Sequence, residues 1–173
     1  MCCRCLTILL TLSTLLYPMP MFAADVDACD LLDAKDAAEI LGNPITSPSS
    51  AGKVPSTPDS PFESSSCGLA SIVGGRAQYM RLVLQVFKSV AEAKKAMDAE
   101  FEPNDDKNIR FSKESGVGDS AFYSHNISDN RGIYVFRKSN RIVIMQAGGS
   151  GFRMTPAYQS ALRKVAIGAL GKL

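Results

Sequence analysis

The sequence contains no tryptophan, and His125 is its only histidine among 173 residues. The missing tryptophan removes the side chain on which carbohydrate-binding sites most often stack sugars. The single histidine excludes metal sites built from several imidazoles, and it leaves one possible base for a Ser–His or Cys–His catalytic pair. Since 46% of the residues are hydrophobic and 21% are charged, the composition is globular and the length indicates one domain.

Charge is almost absent from the N-terminus, where Arg4 is the only charged residue before the acidic segment that follows Ala24. Leu6 to Leu16 forms an apolar run, which is followed by two prolines and then by small residues. This pattern is typical of a secretory signal peptide, and the run is shorter than the roughly 20 residues that a membrane-spanning helix needs. We therefore predict a signal peptide over 1–23, cut after Ala23 or, as the alternative, after Ala24.

The predicted leader places the mature chain, a single domain over 24–173, in the periplasm or outside the cell. Membrane association is expected only if the leader stays uncleaved or if Cys29 carries a lipid. An acid at Asp27 stands where a lipidation site has small apolar residues, so lipidation is the less favoured alternative. Export also argues against a nucleic-acid partner.

Only two of the five cysteines, Cys29 and Cys67, lie beyond the predicted leader. An even pair in an exported chain is most simply a disulfide. A redox-active pair is the minor alternative, because the two residues lack the close C-x-x-C spacing that lowers a thiol pKa. The predicted bond constrains the unfolded chain by about 4 kcal/mol.

The first helix is predicted to begin after the N-cap Asp33 and to end at Gly42. The apolar residues that recur at helical spacing in this region are Leu31, Ala34, Ala38 and Leu41. A Ser/Pro-rich loop follows at 43–66 and holds five of the nine prolines. This segment is too poor in apolar residues to pack tightly, and it is either a tolerated insertion or a binding loop.

The rest of the chain predicts an α+β fold in the order α-β-β-α-β-β-β-α. About five strands are expected, at 67–73, 79–88, 118–125, 132–138 and 141–147. The later helices begin at a capping box on Ser89 and at Thr155-Pro156, an N-cap followed by proline. Because short hairpin connections dominate, the sheet is predicted to be mainly antiparallel and packed by helices.

The predicted strands are apolar on both faces. A second apolar face must be covered by a helix, a partner or a ligand, because soluble monomers rarely expose a large apolar patch. This face, or the glycine-rich rim at 148–151, is the expected contact surface of a binding module.

The segment from Gly116 to Ala121 includes a Gly-Asp-Ser sequence that could belong to an esterase with Ser120 as nucleophile. His125 is five residues further on, where a strand points its side chain to the opposite face, so hydrolysis is the minor alternative. The favoured interpretation is a turn in which Asp119 bonds local backbone amides. No spacing resembles a zinc or calcium motif, and no catalytic, metal-binding or cofactor-binding residue is predicted.

Charge is distributed unevenly along the mature chain. Residues 24–106 contain 14 acidic and 7 basic residues, whereas residues 107–173 contain 3 acidic and 11 basic residues. Either the two halves interleave and their fields cancel, or the second half forms a basic face for an anionic partner. The members of that face would be Arg131, Arg137, Lys138, Arg141 and Arg153, with Arg163 and Lys164 in the last helix.

A resemblance to known proteins rests on four parts of the sequence. They are Cys29-Asp30-Leu31-Leu32, Leu41-Gly42, Cys67 and the segment from Gly116 to Phe122. Their pattern is similar to C-x-L-L … L-G … C … G-L-G-D-x-A in a group of small secreted bacterial proteins and lipoproteins. The resemblance implies an exported α/β sandwich with one disulfide, of a PsbP-like or extracellular sensor-like type. It implies no catalytic residues.

Together these observations predict a non-catalytic binding or accessory module of the cell envelope. Its partner would be an envelope protein or a small apolar or anionic ligand, with no cofactor. The alternatives are an esterase-like hydrolase that uses Ser120 and a self-associating structural protein.

Overall fold

The computed structural model describes residues 26–47, 51–55, 57, 60–100 and 107–173. The predicted signal peptide and its cleavage site lie outside these residues. The described elements, in chain order, are α1 (Ala28–Leu31), α2 (Ala34–Leu41), β1 (Gly52–Val54), β2 (Phe62–Val73), β3 (Arg76–Phe87), α3 (Val90–Glu100), β4 (Ile109–Glu114), β5 (Ser120–Asn126), β6 (Arg131–Lys138), β7 (Arg141–Gly149) and α4 (Pro156–Leu170). None of the helices in this part of the chain has the length and apolarity needed to cross a bilayer.

The strands form one antiparallel sheet in the order β1-β2-β3-β7-β6-β5-β4. The predicted α+β class and antiparallel pairing are confirmed, but the expectation of about five strands is wrong, because the described residues form a sheet of seven. Strand β1 is an edge strand of three residues, too short to show a period-two pattern. Strand β4 forms the other edge and was not predicted.

Strand β2 begins inside the segment that was predicted to be a loop up to residue 66. From Phe62 to Ser66 each residue is paired in register with β3, so that Phe62 lies opposite Phe87 and Ser66 opposite Val83. Backbone hydrogen bonds between strands do not depend on an apolar side chain, so a neighbouring strand can hold a serine-rich segment in the sheet.

The predicted hairpins are confirmed. Gly74 and Gly75 form the β2–β3 turn with φ of +58° and +75°, the left-handed geometry that two-residue turns require. Ser139 and Asn140 join β6 to β7, and Ser139 adopts the same left-handed region with φ of +56°.

The main core lies between one face of the sheet and helices α1, α2 and α4. Its large, fully buried sheet residues are Met80, Leu82, Tyr134, Phe136 and Met145. Helix α2 turns Ala37, Ile40 and Leu41 inward. Of the residues whose spacing had suggested the inner face, Leu31 and Leu41 are buried, whereas Ala34 is exposed.

The predicted disulfide between Cys29 and Cys67 is confirmed. The two Cα atoms lie 5.0 Å apart, and the bond joins α1 to β2 across 38 residues of sequence. Next to it, Ser65 Oγ accepts a hydrogen bond from the amide of Ala28 at 3.0 Å. Both contacts fix the first helix against the sheet.

The second face of the sheet is covered in part by α3. Ala93 and Met97 of this helix pack with Phe87, Val135 and Ile142 in a second, smaller apolar cluster. A helix of the same chain therefore meets the second apolar face that the strand pattern had required.

Candidate functional site

A cavity of about 350 Å³ lies between the outer strands β4 and β5 and the beginning of α4. Its apolar lining includes Met154 and Pro156. Its polar lining residues are Arg110, Ser112, Tyr123, His125, Thr155 and Gln159. We call this cavity the α4–β5 pocket.

Strand pairing places the polar residues of the sheet on one wall of the pocket. Arg110 lies opposite His125, and Ser112 lies opposite Tyr123, in the β4–β5 register. Because side chains alternate between the two faces of a strand, all four point to the face that carries α4. The side chain of Thr155, the N-cap residue of α4, makes no capping hydrogen bond.

Two polar atoms of this wall have no hydrogen-bond partner. Ser112 Oγ and His125 Nε2 are both buried and unpaired, and both residues line the pocket. Most buried polar atoms in proteins are paired, and an unpaired one costs about 1–3 kcal/mol. A ligand in the pocket could supply the missing partners of both atoms.

His125 is uncharged at neutral pH. Burial lowers the pKa of His125, the positive charge of Arg110 lowers it further, and the negative charge of Asp129 partly opposes them. The neutral imidazole therefore offers one donor and one acceptor.

Glu114, at the end of β4, connects this strand to α4. Gln159 Nε2 donates a hydrogen bond to Glu114 Oε1 at 2.9 Å, and Arg163 Nε lies 3.5 Å from Glu114 Oε2. These contacts fix α4 against β4. Burial, and to a smaller extent the charge of Glu114, raises the pKa of Tyr123 and of Tyr134 to about 12, so both phenols stay protonated at neutral pH.

Basic groups outnumber acidic ones in the described lining of the pocket, although the carboxylates of Glu114 and Asp129 are close enough to act on Tyr123 and His125. Arg110 and His125 belong to its lining, and no Asp or Glu is among the described residues that form it. The nearby acids have other partners, since Glu114 pairs with Arg163 and Asp129 with Arg131 at 3.2 Å.

A smaller cavity of about 200 Å³ lies at the opposite edge, beside β1 and β2. Its charged lining residues are Lys53 and Glu63. Lys53 forms an ion pair with Asp27 at 3.3 Å, and Ser65 Oγ accepts a hydrogen bond from the amide of Ala28. This cavity has none of the unpaired buried atoms found in the α4–β5 pocket, as far as the described residues show.

Ser120 does not meet His125. Ser120 lies opposite Arg137 and His125 opposite Gly132 in the β5–β6 register, so the two side chains point to opposite faces of β5. Five residues of strand also separate them by roughly 17 Å. No group of three or more metal-binding side chains occurs in the described parts of the chain.

Three of the predicted basic residues, Arg137, Lys138 and Arg141, lie together at the β6–β7 turn, and each has a partner within the chain. Arg137 pairs with Asp119 at 2.9 Å, and Lys138 Nζ lies 3.9 Å from the same carboxylate. Arg141 Nη1 donates to the backbone oxygen of Leu173 at 2.7 Å, and Arg153 lies exposed on the loop before α4. Binding of an anionic partner by these residues stays a prediction.

Residues of the acidic half of the sequence and basic residues of the second half contact each other in the fold. Lys164 of α4 forms an ion pair with Glu39 of α2 at 3.1 Å. Lys172 Nζ donates to the backbone oxygen of Asp30 at 2.8 Å. These contacts support the interpretation in which the acidic and basic halves interleave.

Residues Arg110 and Ser112 were missed because β4 was not predicted. A signal was present, since Ile109 and Phe111 alternate with them in the period of a strand. No sequence signal points to Gln159, which reaches the pocket only through the packing of α4.

No protein-family model matches this chain, and no curated protein sequence matches it either. Among solved structures, the chain is similar to the crystal structure of the extracellular domain of PknH from Mycobacterium tuberculosis. The two share 11% sequence identity at a TM-score of 0.49, over 84% of this chain and 95% of that one. The function therefore has to be inferred from the chemistry of the site itself.

Proposed function

We propose that this protein is an exported, non-catalytic module that binds a small molecule in the α4–β5 pocket. The observation that carries the proposal is the pair of buried, unpartnered atoms on the pocket wall, Ser112 Oγ and His125 Nε2. A ligand that hydrogen-bonds to both would remove their cost of burial.

Export to the periplasm or beyond is supported by the leader pattern over 1–23 and by the bond between Cys29 and Cys67. Disulfides of this kind form and persist in oxidising compartments.

A binding role is favoured over hydrolysis by the surroundings of the single histidine. A serine nucleophile needs a base within hydrogen-bond reach. Ser120 lies on the other face of the sheet from His125. Ser112 shares the pocket with His125, but neither of their unpaired atoms bonds the other.

The test is a ligand-observed NMR screen of a fragment library against the oxidised protein. A Ser112→Phe variant fills the pocket, and a Ser124→Phe variant is its matched control. Ser124 lies on β5 next to His125 and points to the opposite face of the sheet. Circular dichroism and thermal unfolding establish that both variants are folded.

Saturable binding to the native protein and to Ser124→Phe, with loss in Ser112→Phe, is the expected result. Loss in Ser124→Phe alone would move the site to the second face of the sheet and overturn the proposal. Failure of every fragment to bind the native protein would overturn it as well.

A further inference from the structure

We infer that the ligand of the α4–β5 pocket is a small carboxylate with one negative charge and a compact apolar body. This inference rests on the proposed function, and it names the chemical class that the pocket recognises.

The charge of the ligand follows from the charges that face the pocket. Arg110 lines the cavity and forms no ion pair with the described residues. The described lining contains no Asp or Glu that could neutralise it. A guanidinium group presents parallel N–H donors that match the two oxygens of a carboxylate, so an anion of this shape is the best complement to Arg110.

The hydrogen-bonding groups favour the same class. The hydroxyl of Ser112 can donate to a carboxylate oxygen, and His125 Nε2 can donate when it carries the imidazole proton. Both atoms are buried without a partner. Arg110, Ser112 and His125 lie on adjacent strands and the same face, so all three border the same side of the pocket.

The number of charges limits the ligand to a monoanion. Arg110 is the one permanent cation of the described lining. A phosphate monoester carries close to two negative charges at neutral pH, whereas the described lining offers it one permanent cation, the exposed guanidinium of Arg110. The carboxylate is therefore favoured over the phosphate.

The remaining walls define the body of the ligand. Met154, Pro156 and the ring of Tyr123 present apolar surface to the cavity. The volume of about 350 Å³ is near the lower end of the range for small-molecule sites. A short hydrocarbon chain or a single ring fits this combination.

The test compares three probes by NMR titration of the oxidised protein. Benzoate is the carboxylate with a compact apolar body, benzamide is its neutral analogue, and inorganic phosphate is the competing anion. Benzoate is expected to bind saturably, with shifts in β4, in β5 and in the imidazole signals of His125. Benzamide and phosphate are expected to bind at least about tenfold more weakly.

Matched variants test the role of Arg110. Arg110→Gln should weaken benzoate binding about tenfold or more, because it removes the charge and the forked donor. Arg110→Lys should recover only part of this loss, since the charge returns without the fork. Arg81→Gln, the same substitution at an exposed position on β3, should leave benzoate affinity unchanged.

The outcomes separate this inference from the proposed function. If benzamide binds as tightly as benzoate, if phosphate binds more tightly, or if Arg110→Gln changes nothing, the ligand is not a carboxylate held by Arg110. The proposal that the α4–β5 pocket binds a small molecule is then still supported, provided that Ser112→Phe abolishes the binding. If Ser112→Phe leaves benzoate affinity unchanged, the proposed site fails too, and absence of benzoate binding overturns the inference directly.

Discussion

Asp119 is bound to Arg137 through both its backbone and its side chain. The amide of Asp119 donates to the carbonyl oxygen of Arg137 at 2.8 Å, and Arg137 Nη1 donates to Asp119 Oδ2 at 2.9 Å. The same carboxylate oxygen accepts from the amide of Ser139 at 2.7 Å. The Gly-Asp segment before β5 therefore holds the β6–β7 turn, and its carboxylate engages an arginine that the sequence had suggested for an anionic partner.

Gly118 should be intolerant of any side chain. Its φ is +61°, and a Cβ at this position would overlap the carbonyl oxygen of Arg137. We expect Gly118→Ala to lower the free energy of unfolding by about 3 kcal/mol or more, since left-handed strain adds to the steric overlap. Chemical denaturation measures this change.

Gly74→Ala is the matched control for that substitution. Gly74 has φ of +58°, but a Cβ there meets no atom within 4 Å. Only the left-handed strain remains, so the expected loss is about 1 kcal/mol. Equal losses in the two variants would show that contact with Arg137 does not constrain Gly118.

Replacing Cys29 and Cys67 together by serine should lower the free energy of unfolding by about 4 kcal/mol. The bond closes a loop across 38 residues, and its loss frees the unfolded chain. Denaturation of the native protein with and without a reductant measures the same quantity without a mutation. A double variant as stable as the oxidised protein would contradict the role assigned to the bond.

His125 should make stability depend on pH in the mildly acidic range. Burial and the charge of Arg110 lower its pKa in the folded state, while Asp129 opposes them. The unfolded chain therefore binds the proton more tightly, and the stability contribution present above about pH 6.5 is lost as the pH falls toward the folded-state pKa.

The measurement is denaturation of the native protein and of His125→Gln between about pH 7 and pH 5. The variant should lose less stability over this range than the native protein. Parallel curves for the two proteins would show that His125 is not the group responsible.

Tyr134→Phe should leave stability unchanged or raise it. Tyr134 is fully buried, and its hydroxyl has no hydrogen-bond partner, so removing the hydroxyl removes an unmet polar group. Tyr79→Phe is the control, because Tyr79 Oη accepts from Gln146 Nε2 at 3.4 Å. The control should lose up to about 1 kcal/mol.

The same variant gives a second readout at alkaline pH. Burial, and to a smaller extent the charge of Glu114, raises the pKa of Tyr134 to about 12. In an alkaline titration followed by phenolate absorbance, the folded Tyr134→Phe protein should therefore lack one tyrosine that ionises late. If Tyr134→Phe instead lowered the free energy of unfolding by several kcal/mol, the hydroxyl of Tyr134 would have a partner in the folded protein.

Local patterns accounted for most of the regular structure. The helix starts after Asp33 and Thr155 and the helix end at Gly42 were predicted from residue type and occur at those positions, although the side chain of Thr155 makes no capping hydrogen bond. Strand β1 was missed because three residues cannot display alternation. The serines of β2 were assigned to a loop because their place in the sheet depends on pairing with β3.

The composition and order of residues by themselves determined the α+β class, the antiparallel hairpins and the pairing of Cys29 with Cys67, the two cysteines beyond the predicted leader. These properties follow from short-range periodicity, turn chemistry and the even number of thiols. The tertiary structure alone decided that Arg110, Ser112 and His125 share a pocket with Gln159. That assembly needs the β4–β5 register and the docking of a helix more than 30 residues away, and neither is encoded in any local pattern.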